Sequence, residues 1–134
     1  MFDGRPAGWI DYSATVALTN INLVNGTVVA RYKRDDDNTI TVHVVITAGS
    51  STTYSAGNLA VSLPVPSLNT SVVDVAGIAH CDNGTQATRT VCAARFNGGG
   101  SVLFEYTGGL VTNTAPFTFG TASHLSFTAT YEAA

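Results

Sequence analysis

The chain has 134 residues, which suits one folded domain and leaves little room for a second. Charged residues make up only 11% of the sequence, about half of the roughly 25% that is usual in globular proteins, and the formal net charge is −3. Nucleic acids and anionic membranes both attract basic patches, so this composition gives no reason to expect either partner. The N-terminal segment MFDGRPAGW lacks the charged and apolar regions of a secretory signal, so we expect synthesis in a cytoplasm and no membrane insertion.

Residues 1–8 carry two glycines and a proline without periodicity, and we interpret them as an N-terminal docking arm ahead of a single domain over residues 9–134. From Trp9 to Leu18 apolar residues fall on alternate positions, which predicts a strand with a bulge or bend near Thr19 and Asn20. Asn25-Gly26 is the preferred pair for a two-residue hairpin turn. It predicts that Leu23 lies opposite Val28.

The segment from Val28 to Ala48 gives the clearest signal. Even-numbered residues are apolar in both of its halves, so an antiparallel hairpin must pair even positions with even positions, for example Tyr32 with Val42. The connecting loop must then hold an odd number of residues, three or five, with Asp37 or Asn38 in the left-handed conformation. A hairpin with one apolar face needs a second layer of sheet over that face.

The remaining strands follow the same logic. Residues 59–65 alternate but contain Pro64, which lacks an amide donor and suits a strand end or an edge. We expect strands over 72–82 and 90–96, a hairpin that pairs Phe96 with Val102, and a last strand over 125–131. No window has helical periodicity. The sequence therefore predicts an all-β, antiparallel, jelly-roll-like β-sandwich of about eight or nine strands.

Several motifs occur in an order that resembles the distal β-sandwich domains of phage tail fibres and minor tail proteins, especially those of phages that infect actinobacteria. These motifs are Gly8-Trp9 followed by Tyr12, the Asn25-Gly26 turn, the segment 30–34 (ARYKR), the element 63–66 (LPVP) and the terminal residues 130–134 (TYEAA). The resemblance implies a receptor-binding homotrimer in the virion, in contact with other tail or capsid proteins. It also implies that the trimer attaches the particle to a host surface glycan.

A carbohydrate site would lie in the loops at one end of such a sandwich, because aromatic rings stack on sugar rings and Asn, Ser and Asp side chains bond to their hydroxyl groups. The candidate ligand-binding residues are Tyr54, Asn58, Asp82, Asn83, Asn113, Phe117 and Phe119. For Phe117 and Phe119 a hydrophobic plug at a subunit interface is an equal alternative. We expect Trp9 to pack in a docking contact or subunit interface rather than on a sugar.

The sequence predicts no cofactor, no metal site and no catalytic site. Residues 35–38 (DDDN) offer oxygen ligands but lack an EF-hand pattern, and the three histidines are not spaced as zinc ligands. Neither a nucleophile motif nor an evident carboxylate pair is present, so we do not expect an enzyme.

Cys81 lies opposite Cys92 if the intervening loop is centred between Gln86 and Ala87. A strained cross-strand disulfide and two buried free thiols are the alternatives.

Two other functions fit the same composition. One is a structural virion protein, such as a capsid decoration or tail-tip component without receptor binding. The other is a cellular lectin-like carbohydrate-binding module.

Overall fold

The computed structural model describes residues 8–35 and 37–134. The predicted N-terminal arm therefore lies outside the described residues except for Gly8, and so does Asp36 in the predicted acidic turn. The described chain forms twelve strands and one 3₁₀ turn at Gln86–Thr88. The strands are β1 (Ile10–Asp11), β2 (Leu18–Thr19), β3 (Ile21–Asn22), β4 (Thr27–Arg34), β5 (Thr39–Thr47), β6 (Thr53–Tyr54), β7 (Ala60–Ser62), β8 (Val75–Asp82), β9 (Thr90–Asn97), β10 (Ser101–Tyr106), β11 (Gly109–Leu110) and β12 (His124–Glu132).

The main sheet is antiparallel and curled, with the strand order β1-β4-β5-β12-β8-β9-β10-β7-β2; β11 pairs with β10, and β3 pairs with β6 as a separate small sheet. The two halves of the curled sheet pack against each other as a β-sandwich. Phe104 on β10 and Phe127 on β12 have ring centroids 5.5 Å apart, although β8 and β9 lie between their strands in the sheet. Their contact therefore crosses the core. The predicted antiparallel sandwich is confirmed.

The hairpin of β4 and β5 pairs even-numbered residues with even-numbered residues, as predicted. Tyr32 pairs with Val42 and Ala30 pairs with Val44, and the side chains of Ile40, Val42, Val44 and Ile46 are all buried. Asn38 adopts a φ of 69°, as predicted for the left-handed residue of the loop. In β12 the apolar residues Leu125, Phe127, Ala129 and Tyr131 are buried while alternate residues face outward, again as predicted.

The predicted strand from Trp9 to Leu18 is wrong, because only Ile10–Asp11 and Leu18–Thr19 are strands. The chain turns after Tyr12, whose carbonyl accepts the amides of Thr15 and Val16. The Ser13 hydroxyl accepts the amide of Ala30 at 2.8 Å and takes the place of a ladder bond. The expected bend at Asn20 is present, with a φ of 64°.

Tyr12 connects the two ends of the curled sheet. Its amide donates to the Ala30 carbonyl on β4, and its hydroxyl donates to the Ser62 carbonyl on β7. The two edge strands β1 and β2 are consecutive in the chain, so the turn between them spans the gap between the edges of the sheet.

The hairpin predicted at Asn25-Gly26 is also wrong. The turn runs from Leu23 to Gly26, with Val24 at a φ of 52°, and β3 pairs with β6 rather than with β4. The Asn25 side chain makes a different contact. Its amide nitrogen donates to the Ser50 hydroxyl, and its amide oxygen accepts the backbone amide of Ser51. The asparagine holds the following loop and does not close a hairpin.

Candidate functional site

All seven predicted ligand-binding residues lie at one end of the sandwich, which we call the loop end. It consists of residues 48–59, 83–89 and 107–123, which connect β5 to β7, β8 to β9 and β10 to β12, together with Asp82 at the end of β8. Because neighbouring strands are antiparallel, these connections meet where β5 and β8 end and where β12 begins. The structure therefore brings together residues that are far apart in the sequence.

The centre of the loop end is a cluster of three aromatic rings. The rings of Tyr54 and Phe119 lie 5.2 Å apart, and those of Phe117 and Phe119 lie 4.6 Å apart. Phe119 is only 5% exposed and belongs to the core, whereas Tyr54 and Phe117 are half-buried against it. Phe119 thus supports two partly exposed rings that can contact a ligand.

Ser123 anchors the backbone next to this aromatic cluster. It is fully buried, its hydroxyl accepts the Gly120 amide at 2.7 Å, and its carbonyl accepts the Ala48 amide. Burial raises the pKa of Tyr54, and a hydrogen bond with Ser123 acts in the opposite direction. The Tyr54 hydroxyl therefore stays protonated and is a neutral hydrogen-bonding group at physiological pH.

Two asparagines belong to the loops of the same end. Asn58 is exposed and forms a bridge with Thr112, while its carbonyl accepts the Asn20 side-chain amide at 2.8 Å. The Asn113 carbonyl accepts the Phe119 amide at 2.9 Å, which ties the segment 112–115 to the loop that carries Phe117 and Phe119. In both residues the backbone makes the structural contact, so the side-chain amide can bind a ligand.

Asp82 and Asn83 form a second group at the same end, and their side chains are engaged in the fold. Asp82 Oδ1 lies 2.8 Å from His124 Nδ1 and accepts the Gly84 amide at 2.9 Å. The Asn83 side chain accepts the hydroxyls of Thr85 and Thr88. Desolvation raises the pKa of Asp82, but the hydrogen bonds from His124 and Gly84 outweigh it and hold the pKa below its usual value. These contacts stabilise the loop and leave the side chains little capacity for a ligand.

Cys81 and Cys92 are free thiols in the structure, with their Sγ atoms 3.8 Å apart in the core. The predicted pairing of Cys81 with Cys92 is wrong: Cys81 pairs with Thr90, and Cys92 pairs with Ala79. The 3₁₀ turn at Gln86–Thr88 moves the centre of the loop by one residue, which makes the cysteines diagonal neighbours. The hydrogen bond with Cys92 and burial both raise the pKa of the Cys81 thiol.

Sequence reasoning did not identify the grooves on the surface. One groove of about 200 Å³ lies on the outer face of the sheet and includes His43, Ile78, His80, Val91 and Thr128 among its lining residues. A larger one, of about 400 Å³, lies at the end opposite the loop end. Two residues could have indicated the smaller groove from the sequence. Ile78 and Val91 are apolar at outward-facing strand positions, and they are 61% and 67% exposed.

No protein-family model matches this chain, and neither the curated proteins nor the solved structures contain a match. Among residues 8–35 and 37–134 no helix has the length and apolar character needed to cross a membrane. Within the same residues, no group of three or more His, Cys, Asp or Glu side chains is arranged to hold a metal ion.

Proposed function

We propose that this chain is a virion tail protein, a tail fibre or minor tail protein, that attaches a phage to its host by binding an envelope carbohydrate. The observation that supports the proposal is the loop end, which combines two half-buried aromatic rings packed on Phe119 with two asparagines that use their backbone carbonyls for the structural contacts. Rings and carboxamides are the groups that bind the apolar faces and hydroxyls of sugars. In this proposal the chain is a homotrimer in the virion, in contact with other tail or capsid proteins.

The low charge of the chain also supports a carbohydrate ligand. A neutral surface rich in Ser, Thr and Asn has no strong electrostatic field, so recognition must come from hydrogen bonds and ring stacking. Of the seven predicted residues, we assign ligand contact to Tyr54, Asn58, Asn113 and Phe117. Phe119, Asp82 and Asn83 support the loops.

The test is the saturable binding of labelled protein to bacterial cells and isolated envelopes, with soluble cell-wall sugars as competitors. Asn58→Ala should reduce binding by about tenfold, because one good hydrogen-bonding group contributes about 1.4 kcal/mol. Asn97→Ala is the matched control, since Asn97 is an exposed asparagine at the opposite end. Equal binding by both variants would place the ligand elsewhere, and absence of binding to a susceptible host would overturn the attachment function.

The exposed aliphatic side chains on the outer face favour a second candidate function, a structural virion protein. Ile78 and Val91 are 61% and 67% exposed on the neighbouring strands β8 and β9, and both line the groove on the outer face. Clustered apolar surface of this kind is typical of protein contacts. In that case the protein would bind virion subunits and would not bind cells.

A further inference from the structure

The larger groove combines an apolar interior with access to solvent. It has a volume of about 400 Å³, and at its base lie Phe96 and Tyr131, whose rings are 6.2 Å apart. Leu68 and Val75 also line it, and they are 59% and 55% exposed. Exposed aliphatic walls around an open cavity indicate a surface that is covered by a partner.

The groove is also acidic. Its lining within the described residues includes the carboxylates of Asp74 and Glu132 and contains no lysine, arginine or histidine. Asp74 is held in place, because its Oδ2 accepts the Asn69 side-chain amide at 2.6 Å and its Oδ1 accepts the Val75 amide at 2.9 Å. A group that fits the groove is therefore apolar and accompanied by positive charge.

Trp9, Arg31 and Lys33 form such a group, which we call the Trp9 platform. Trp9 is 41% exposed, and the guanidinium carbon of Arg31 and the Nζ of Lys33 lie 4.8 and 5.1 Å from the centroid of its ring. Cation–π attraction orders the three side chains together. The platform thus presents an indole and two cations on one surface.

Within one chain the platform is separated from the groove. Lys33 on β4 pairs with Thr41 on β5, and Thr41 in turn pairs with Thr130 on β12, which lines the groove. Two strand spacings, about 10 Å, therefore lie between the platform and the groove. A contact between a Trp9 platform and a groove is therefore most directly made between two copies of the chain.

We propose that the Trp9 platform of one copy docks in this groove of a second copy. The indole packs between Leu68 and Val75, and the two cations face Asp74 and Glu132. Opposite charges across an interface fix its register and its partner. This inference rests on the homotrimer of the proposed function, for which a contact between two different surfaces that closes into a ring supplies the interface.

A sugar fits the groove less well than a second copy does. Phe96 and Tyr131 are only 3% and 5% exposed, so neither offers a ring face for stacking. Val72 and Val73, which are 50% and 78% exposed, extend the apolar surface beside the groove. An extended aliphatic surface is better matched by a protein than by a hydroxylated ring.

The experiment measures the mass of the purified protein in solution by sedimentation equilibrium over a range of concentrations. Lys33→Glu and Glu132→Lys are each expected to weaken association by about tenfold, because each places like charges across the contact. The double variant with both substitutions in one chain should restore association, since it exchanges the two charges. Arg89→Glu is the control, because Arg89 is an exposed cation at the loop end.

The outcomes separate the contact, the trimer and the attachment function from one another. Rescue by the double variant supports the contact, whether or not the protein binds cells. A trimer whose mass is unchanged in Lys33→Glu, in Glu132→Lys and in Trp9→Ala overturns the contact and leaves the trimer standing. A monomer at every concentration overturns both the contact and the trimer, while the separate cell-binding assay still decides the attachment function.

Discussion

The backbone of Gly77 on β8 lies directly against the carbonyl of Thr128 on β12, so close that a Cβ atom at Gly77 would overlap the carbonyl oxygen. Gly77 belongs to a β-bulge, because the register between β8 and β9 shifts between Val75 and Gly77. On its other side β8 pairs with β12, where Gly77 lies opposite Ala129. Glycine is therefore required here by space and not by backbone conformation.

We expect Gly77→Ala to destabilise the protein by about 2–4 kcal/mol, because the backbone of β12 would have to move. Urea denaturation measures the change. Gly100→Ala is the control: no atom lies within 4 Å of the place that a methyl group on Gly100 would take, and stability should change by no more than about 0.5 kcal/mol. Equal effects of the two substitutions would contradict the close approach of β8 and β12.

The ionisation of Tyr131 determines how the stability of the protein changes in alkali. Its hydroxyl donates to the Val65 carbonyl at 2.7 Å, and burial raises the pKa of Tyr131 to about 12. A tyrosine of the unfolded chain titrates near a pKa of about 10. The stabilisation from the neutral ring is therefore complete below pH 10 and is lost as the pH rises from 10 through 12.

Tyr131→Phe should lower stability by about 1 kcal/mol at neutral pH, because the Val65 carbonyl loses its donor. Its stability should also fall less steeply above pH 10 than that of the wild type. Urea denaturation over the alkaline range, with Tyr106→Phe as the control, measures both effects. Identical alkaline slopes for wild type and Tyr131→Phe would show that Tyr131 does not cause the loss.

The elements that the sequence predicts well are those whose burial follows a local period. Val42 and Phe127 lie on long strands with one buried face, and alternation alone assigns their direction. The prediction for Asn25 is wrong because its role depends on Ser50 and Ser51, and no local pattern indicates that contact. Tertiary hydrogen bonds there outweigh the intrinsic preference of the turn.

The position of the candidate site is also predictable in part, because local patterns indicate its loops. Turn residues and aromatics mark Tyr54 and Asn58 as loop residues, and antiparallel pairing brings the loops to one end. Whether a ring is exposed depends on packing, so the sequence does not distinguish Phe117 from the buried Phe119. The larger groove depends on Leu68 and Glu132, which are distant in sequence, and a local pattern cannot show it.

The pair of Asp82 and His124 predicts how stability changes in acid. Hydrogen bonds from His124 and Gly84 hold the pKa of Asp82 below its usual value. The stabilisation is therefore present above the ordinary carboxyl pKa and is lost as the pH falls through the lowered pKa. We expect Asp82→Ala to lower stability by about 1–2 kcal/mol at neutral pH, with a smaller effect at low pH.

Urea denaturation at several pH values measures this difference, and Asp35→Ala is the control because Asp35 is an exposed residue at the opposite end. A constant difference between wild type and Asp82→Ala from neutral to acid pH would mean that the charge of Asp82 does not contribute.

The two cysteines give a prediction about reactivity. Cys81 and Cys92 are 0% and 4% exposed, and their Sγ atoms must approach from 3.8 Å to about 2.05 Å to form a disulfide. Diagonal neighbours on paired strands cannot make this approach without a shift of the backbone, and burial keeps oxidants away from both thiols. We therefore expect both thiols to be free and protected in the folded protein.

A thiol reagent should label neither cysteine in the native protein and both cysteines after unfolding in urea without a reductant. Mass spectrometry of the unreduced protein counts the labels. If unfolded, unreduced protein takes up no label, the disulfide has formed and the strands β8 and β9 must shift relative to each other to accommodate it. Labelling of one cysteine in the native state would instead show that this part of the core opens to solvent.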